Sequence, residues 1–203
     1  MPHIHCGAFF CTYFYCMNKF FLAACFIVAL LSCGEKKKST KEGDGFFPVK
    51  SYIQSQISHV DTSVYTIIKI VTANGKSDTT YIKREEFKTY AKDFLTTPDI
   101  SPEDYKETNL FDELLERAII NYTTEDEDAE VRRVEVIVQP NPEGDKVQSI
   151  FIDQLINNKK NALTKRMFWE VDKRFRITTI TNSKNSEQVE TIDVVWNDFP
   201  SAK

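Results

Sequence analysis

The clearest chemical signal in this 203-residue chain lies at Cys33. This cysteine follows Leu30-Leu31-Ser32, the end of the apolar stretch Phe20–Leu31 and one small residue, and the positively charged segment Met17-Asn18-Lys19 precedes that stretch. A charged start, an apolar core and a small residue before the cleavage point are the parts of a secretory signal peptide. The spacing therefore predicts a proteolytic step between Ser32 and Cys33, with residues 17–32 as the signal peptide.

The apolar stretch is short for a permanent membrane span. As a helix its residues would cover about 18 Å, whereas the hydrocarbon core of a bilayer is about 30 Å thick. Residues 1–16 carry no Lys, Arg, Asp or Glu, and joined to the stretch they would be long enough to cross. We interpret residues 1–16 as a start-site misassignment, with translation beginning at Met17. A genuine N-terminal extension and an uncleaved anchor are the alternatives.

The order Leu30-Leu31-Ser32-Cys33 resembles a bacterial lipobox. This resemblance implies that the thiol of Cys33 is acylated, that the signal peptide is removed before it, and that the new amino group also receives a fatty acyl chain such as palmitate. One acyl chain anchors a protein only marginally, so several chains together would make attachment effectively permanent. The resemblance therefore implies a membrane as the partner, to which an N-terminal lipid anchor attaches the protein. The alternative is a buried thiol in an apolar helix.

The other cysteines agree with this division of the chain. All five lie at or before position 33, at Cys6, Cys11, Cys16, Cys25 and Cys33. The chain after Cys33 therefore has no thiol for a disulfide, a zinc site or a cysteine nucleophile. An exported domain with this composition must be stabilised by its core alone.

Residues 33–45 are predicted to be the lipidated cysteine and a flexible tether. After Cys33 this segment contains only Gly, Glu, Lys, Ser, Thr and Asp, so it has no apolar surface with which to fold. Such a chain has a root-mean-square reach of about 20 Å. In lipoproteins of the Bacteroidota, an acidic run after the acylated cysteine resembles a surface-export signal, and here the run is basic. We expect a cell-envelope protein that faces the periplasm.

Few residues after the tether could carry out catalysis. His59 is the one histidine beyond Cys33, so a histidine-rich metal site is excluded and a Ser-His-Asp triad could use only this residue. The sequence has no G-x-S-x-G elbow, no Walker A loop and no paired-glycine dinucleotide turn. We predict no catalytic residue, no cofactor and no metal.

The acidic residues leave one catalytic alternative open. With 30 Asp and Glu in the chain, a pair of carboxylates of the glycosidase type is possible, although no pair stands out. The run Glu125-Asp126-Glu127-Asp128 offers oxygen ligands for a hard cation. It lacks the glycine and the ligand spacing of an EF-hand loop, and we interpret it as a solvated turn.

Basic and aromatic residues are mixed between positions 165 and 176, as they are on some nucleic-acid surfaces. The segment includes Lys165, Arg166, Phe168, Trp169, Lys173, Arg174, Phe175 and Arg176. The whole chain is nevertheless acidic, with a net charge of −4. We therefore expect no nucleic-acid partner and interpret the basic residues as members of cross-strand pairs with neighbouring acids.

The periodicity of residues 46–203 predicts one domain that begins with helices and ends with strands. Val49, Tyr52, Ile53 and Ile57 recur at helical spacing after Pro48. Two β-branched runs flank Asn74-Gly75, which is a hairpin signal. An amphipathic stripe predicts a helix over residues 83–95, and Ser101 is expected to cap a further helix that carries Leu110, Phe111, Leu114 and Leu115. Six strands follow, over 118–124, 131–139, 148–156, 163–171, 174–181 and 189–196.

This order predicts the α+β class, with a curved antiparallel sheet of about eight strands packed against two or three helices. A half-barrel like that of periplasmic lipoprotein carriers and a cone-like fold of the nuclear-transport-factor type would both satisfy it. The aromatic residues Phe151, Phe168 and Trp169 are the candidates for binding a hydrophobic ligand.

The segments Asp78–Ile82, Phe94-Leu95 and Val131–Val134 are similar to uncharacterised lipoproteins of the Bacteroidota, a resemblance that implies no activity. We expect a non-catalytic, membrane-anchored envelope lipoprotein that binds a hydrophobic ligand or an envelope protein. An envelope hydrolase that uses paired carboxylates is the alternative.

Overall fold

The computed structural model describes residues 45–157, 162–183 and 186–197. The compact unit that contains them begins at Gly45. The start-site segment 1–16, the signal peptide 17–32, and Cys33 with its tether up to residue 44 lie outside the described residues.

The described residues form three helices and nine strands. The helices are α1 (Val49–Thr62), α2 (Arg84–Tyr90) and α3 (Lys92–Thr96). The strands are β1 (Ile67–Ala73), β2 (Lys76–Ile82), β3 (Lys106–Asp112), β4 (Arg117–Thr123), β5 (Val131–Gln139), β6 (Lys146–Asn157), β7 (Ala162–Glu170), β8 (Arg174–Ser183) and β9 (Ser186–Val195).

All nine strands belong to one open antiparallel sheet, in the order β2-β1-β9-β8-β7-β6-β5-β4-β3. The strands from β3 to β9 form a continuous meander in which each strand pairs with the next. The hairpin β1–β2 joins beside the last strand, because Ile68 lies opposite Val195 and Ala73 opposite Glu190. Asn74 and Gly75 form its turn with φ values of 52° and 73°, as the Asn-Gly signal predicts.

The α+β prediction is confirmed in its coarse form, with strands in the majority. The expected helix with Leu110, Phe111, Leu114 and Leu115 is wrong, because residues 106–112 form β3 and pair with β4. Ser101 opens only a single turn, in which the amide of Tyr105 donates to its carbonyl at 3.0 Å. The spacing of the leucines suited a helix, but pairing with β4 satisfies the backbone hydrogen bonds of this segment. The sheet therefore has one strand more than expected.

The amphipathic stripe over residues 83–95 is confirmed, although two short helices carry it instead of one. Ala91 separates α2 from α3 with φ −80° and ψ 0°, outside the regular helical values. Phe87, Ala91 and Phe94 are buried, as the stripe predicts. At the start of α2, the carboxylate of Glu86 accepts a hydrogen bond from the amide of Lys83 at 2.8 Å.

Five aromatic side chains from helices and strands meet in the core. We call them the aromatic cluster: Phe87, Phe94, Trp169, Phe175 and Trp196. The ring centroids of Phe94 and Trp169 are 5.2 Å apart and those of Phe87 and Trp196 are 5.1 Å apart, both edge to face. Trp169 stacks on Phe175 at 5.3 Å. Edge-to-face and stacked geometries are the favourable ones for aromatic pairs, so the cluster joins α2 and α3 to strands β7 and β8.

Buried residues occupy alternate positions within two strands. Val134, Val136 and Val138 of β5 are buried, and so are Met167 and Trp169 of β7. The residues between them face the other side of the sheet, because successive side chains of a strand point to opposite faces. One face of the sheet thus contributes to the core, and the other carries most of the charged residues.

Candidate functional site

An apolar cavity of 410 Å³ lies where the start of α1 and the loop after α3 approach the sheet. One wall is the segment 46–51 and the other is the segment 97–102. Phe94, Val134 and Ile152 form its floor, and all three are buried. The lining is largely apolar, which is the usual character of a small-molecule site.

The sheet positions two of the floor residues directly. Val134 of β5 and Ile152 of β6 are cross-strand partners, so their side chains lie side by side on the same face. Phe94 covers them from α3 and is itself held by its edge-to-face contact with Trp169. The floor therefore rests on the same core that stabilises the fold.

The first wall is attached to the sheet through Tyr122 of β4. The amide of Phe47 donates a hydrogen bond to the phenol oxygen of Tyr122 at 2.9 Å, and the Phe46 ring lies 4.4 Å from the Tyr122 ring. Burial raises the pKa of Tyr122, and the hydrogen bond from Phe47 opposes part of this effect. The phenol therefore stays neutral and serves as a fixed anchor for the start of the domain.

The second wall is held at both of its ends. The hydroxyl of the buried Thr97 donates to the carbonyl of Asp93 at 2.8 Å, which joins the loop to α3. Beyond the loop, the phenol of Tyr105 donates to the carbonyl of Val131 at 2.7 Å, which joins it to β5. Pro98 and Pro102 further limit the backbone between these two points. The cavity is therefore bounded by restrained segments on both sides.

A single ion pair crosses from one wall of the cavity to the other. Lys50 in the first turn of α1 places its Nζ 2.9 Å from Oδ1 of Asp99 in the loop. Both residues also line the cavity. The two residues place an ion pair at the rim, beside a largely apolar interior.

The three aromatic residues proposed from the sequence as ligand-binding do not form one cavity in the described part of the chain. Trp169 is fully buried in the aromatic cluster. Phe151 and Phe168 are cross-strand partners on the opposite face of the sheet. Phe168 contributes to a second, more polar groove of 630 Å³ that also includes Glu170, Lys173 and Arg174.

The sequence did contain two signals for the apolar cavity. Phe46-Phe47-Pro48 is an aromatic pair directly after a tether without apolar residues, and Pro98 and Pro102 bracket an isoleucine at position 100. Neither signal reveals that the two segments face each other, because this depends on the long-range contacts of Tyr122 and Tyr105.

The basic residues of β7 and β8 form cross-strand ion pairs, as predicted. The Nε of Arg176 lies 2.8 Å from Oδ1 of Asp193, and that of Arg174 lies 2.9 Å from Oε2 of Glu170. Lys165 instead reaches Asp93 of α3, at 2.7 Å. These acids neutralise most of the positive charge that the segment presents.

Carboxylates suited to glycosidase chemistry would include a general acid of raised pKa. Glu170 shows the opposite shift. Burial alone would raise the pKa of Glu170, but hydrogen bonds and charges from Lys173 and Arg174 outweigh it and lower the pKa below its ordinary value of 4.5. Asp153 faces Arg133 at 3.5 Å and Arg166 at 3.9 Å. These acids are engaged in pairs with basic residues.

The acidic run 125–128 forms an exposed turn between β4 and β5. The guanidinium of Arg132 donates to the backbone carbonyls of Asp126 and Glu127. Within residues 45–157, 162–183 and 186–197, no group of three or more His, Cys, Asp or Glu is arranged to hold a metal ion. His59 lies exposed near the end of α1, with its ring 6.3 Å from that of Tyr65.

The outer end of the sheet exposes several apolar side chains. Leu110 and Phe111 lie in the edge strand β3, and Leu114 and Leu115 lie in the following turn, with exposed fractions between 53% and 90%. Glu113 and Glu116 are in the same turn. Among the helices that the structure describes, none has the length and apolarity needed to cross a bilayer.

Comparisons of the chain with protein-family models, with curated proteins and with solved structures found no match. The candidate site therefore rests on the geometry given above.

Proposed function

We propose that this protein is a non-catalytic envelope lipoprotein whose domain binds one apolar chain in the 410 Å³ cavity. The observation that carries the proposal is the cavity itself, with an apolar floor of Phe94, Val134 and Ile152 between two restrained walls. Ligand cavities in proteins usually measure about 300–1,000 Å³ and combine apolar linings with a few polar groups. The cavity agrees with both criteria.

The place of the cavity in the chain supports a ligand drawn from a membrane. Its first wall begins at Phe46, directly after the polar segment 34–45 that we infer to be the tether from Cys33. A tether with a reach of about 20 Å would keep the domain close to the lipids that hold the anchor. An acyl chain that leaves the bilayer would then have a short path to the cavity. We infer a periplasmic location from the basic composition of the tether.

We also propose that the sheet curves around the helices, which would make the cavity a feature of its concave side. Two register shifts in the pairing of β5 with β6 support this, one between Val131 and Arg133 and one between Ile137 and Val138. Such irregularities bend a strand and increase its local twist. The contacts of Phe87 and Phe94 with Trp169 and Phe175 support helices packed on that side.

A photoreactive alkyl alcohol tests the cavity in the full chain, purified in nanodiscs of zwitterionic lipid. We expect light-induced adducts in the segments 46–51 and 97–102, and we expect unlabelled alcohol of the same chain length to compete. Ile100→Glu places a charge in the apolar lining, where an unpaired carboxylate is strongly disfavoured, and should reduce labelling by about tenfold.

Leu110→Glu is the matched control, because Leu110 is 62% exposed in β3 and lies outside the cavity. This variant should be labelled like the original protein. Adducts spread evenly over the surface, or equal labelling of the two variants, would contradict binding in the cavity.

A further inference from the structure

The size of the cavity limits the kind of lipid that it can accept. At 410 Å³ it lies near the lower end of the range of about 300–1,000 Å³ for ligand cavities. This volume suits one hydrocarbon chain better than the two or more chains of a phospholipid or a lipoprotein anchor. Phe94, Val134 and Ile152 offer no polar group at the floor of the cavity, so we expect a polar head at the rim, where Lys50 and Asp99 lie.

The charged pair at the rim is unequally exposed to water. The side chain of Lys50 is 34% exposed, whereas that of Asp99 is 77% exposed. The side chain of Lys50 is therefore the more enclosed member of the pair, and its position is more fixed than that of Asp99. An exposed ion pair of this kind changes an equilibrium constant by about fivefold at most. The carboxylate of Asp99 can therefore leave Lys50 and turn towards water at a small cost in free energy.

The surroundings of Lys50 favour an anion at the position that the carboxylate of Asp99 occupies. The first turn of α1 contains no Asp or Glu within this described helix, and Pro48 makes no side-chain hydrogen bond at its start. The beginning of a helix carries a partial positive charge, which adds to that of the ammonium. Apart from Asp99, the side chains that line the cavity include no other carboxylate among the described residues.

We propose that the cavity accepts a single-chain amphiphile with an anionic head, and that Lys50 binds this head in place of Asp99. The inference rests on the proposed function, because it requires that the cavity holds an apolar chain. The chain lies on Phe94, Val134 and Ile152, and the head exchanges with the carboxylate of Asp99 at the rim. A fatty acid and a lysophospholipid share this chemistry, with a carboxylate and a phosphate as their respective heads.

Four photoreactive probes with the same alkyl chain test the inference, ending in a carboxylate, a phosphate monoester, an alcohol or an amine. They are applied to the full chain in zwitterionic nanodiscs, and adducts in the segments 46–51 and 97–102 are quantified by mass spectrometry. We expect one or both anionic probes to exceed the alcohol by about fivefold, the most that an exposed ion pair contributes. The anionic probe with the higher yield identifies the head.

Lys50→Met should remove this preference without closing the cavity. The ratio of anionic to alcohol labelling should fall by about fivefold, which is the contribution assigned to the charged contact. Labelling by the alcohol should persist, which shows that the variant is folded. Asp99→Asn should retain or increase the anionic labelling, because it frees Lys50 from its competitor. Lys92→Met, an exposed lysine of α3 outside the cavity, is the matched control and should leave the ratio unchanged.

The outcomes separate the inference from the function on which it rests. Equal labelling by anionic and alcohol probes, a preference for the amine, or an unchanged ratio in Lys50→Met would overturn the role of Lys50 while leaving an apolar-chain site. Absence of labelling by all four probes in both segments would overturn the site as well.

Discussion

At the scale of single residues, the cavity depends on a few polar side chains that fix apolar neighbours. Tyr122 holds the first wall through the amide of Phe47, and Tyr105 holds the second through the carbonyl of Val131. Both phenols have a pKa raised mainly by burial, so they remain neutral over the physiological range. Hydrogen bonds from neutral groups avoid the cost of burying a charge near the apolar floor.

Glu170 provides a prediction for the dependence of stability on pH. Its pKa is lowered in the folded protein, despite the opposing effect of burial, by hydrogen bonds and charges from Lys173 and Arg174. A lowered pKa means that the carboxylate stabilises the fold above its ordinary pKa of 4.5 and loses this contribution as the pH falls through the folded pKa. We expect Glu170→Gln to lower the free energy of unfolding at pH 7 by about 1 kcal/mol.

Urea unfolding at a series of pH values measures this effect. The difference between Glu170→Gln and the original protein should be constant near neutrality and shrink below about pH 4.5. Glu113→Gln, at an exposed turn position, controls for the loss of one negative charge. A difference that stays the same down to the acid transition would contradict the assigned contacts.

At the scale of elements, strand pairing overrides a local helical pattern in one segment. Elsewhere the strands form where the sequence pattern predicts them. Residues 106–112 form β3, although Leu110 lies at a helical spacing from Leu114, because β4 provides a partner for each position of this segment. By contrast, β5 was predicted from Val131 to Gln139 and is observed with these bounds. Val134, Val136 and Val138 recur at every second position, which is the spacing of a half-buried strand.

The β1–β2 hairpin gives a prediction for a single backbone position. Gly75 has φ 73°, and a Cβ added there would meet no atom within 4 Å. Gly75→Ala therefore introduces backbone strain alone, which we expect to lower the free energy of unfolding by about 1 kcal/mol. Urea unfolding monitored by circular dichroism provides the measurement.

Gly45→Ala is the matched control for this substitution. A Cβ at Gly45 would also meet no atom within 4 Å, and its φ lies outside the positive range. Its unfolding free energy should change by less than about 0.5 kcal/mol. Equal effects of the two substitutions would rule out strain at the turn as the cause.

At the scale of the whole molecule, an inferred lipid anchor and the apolar cavity would cooperate through proximity. The domain would stay near its source of ligand because residues 34–45 are too short to let it move far from the membrane. With the anchor in place, the domain would meet its ligand within about 20 Å of the bilayer instead of by diffusion through bulk water. The cavity and the anchor are nevertheless independent proposals, and each has its own test.

Labelling with a palmitate analogue in the native host tests the anchor. We expect label on the original protein and none on Cys33→Ala, because the inferred acylation requires this thiol. Cys25→Ala, within the segment that we infer to be the signal peptide, should be labelled like the original. Globomycin should cause the unprocessed precursor to accumulate. Label that persists on Cys33→Ala would exclude the lipoprotein interpretation.

The sequence by itself determined most elements of this fold and very little of its site. Periodicity reports which face of a helix or strand is apolar, so it located α1, the Asn-Gly hairpin and the strands from β4 to β9. It also placed the residues of the cavity floor in predicted elements, Phe94 in a helix and Val134 and Ile152 in strands, without indicating a space above them. Phe151, Phe168 and Trp169 were grouped by their aromatic character, although neighbouring residues of a strand point to opposite faces.

Only the tertiary structure decided that the hairpin β1–β2 joins β9, that residues 106–112 become β3, and that the segments 46–51 and 97–102 face each other. Phe47 and Tyr122 are 75 positions apart, and so no local pattern in the sequence reports their contact. A cavity is the space left between elements once each has buried its own apolar face. Its position therefore depends on how the elements pack together, which the periodicity of a single segment does not contain.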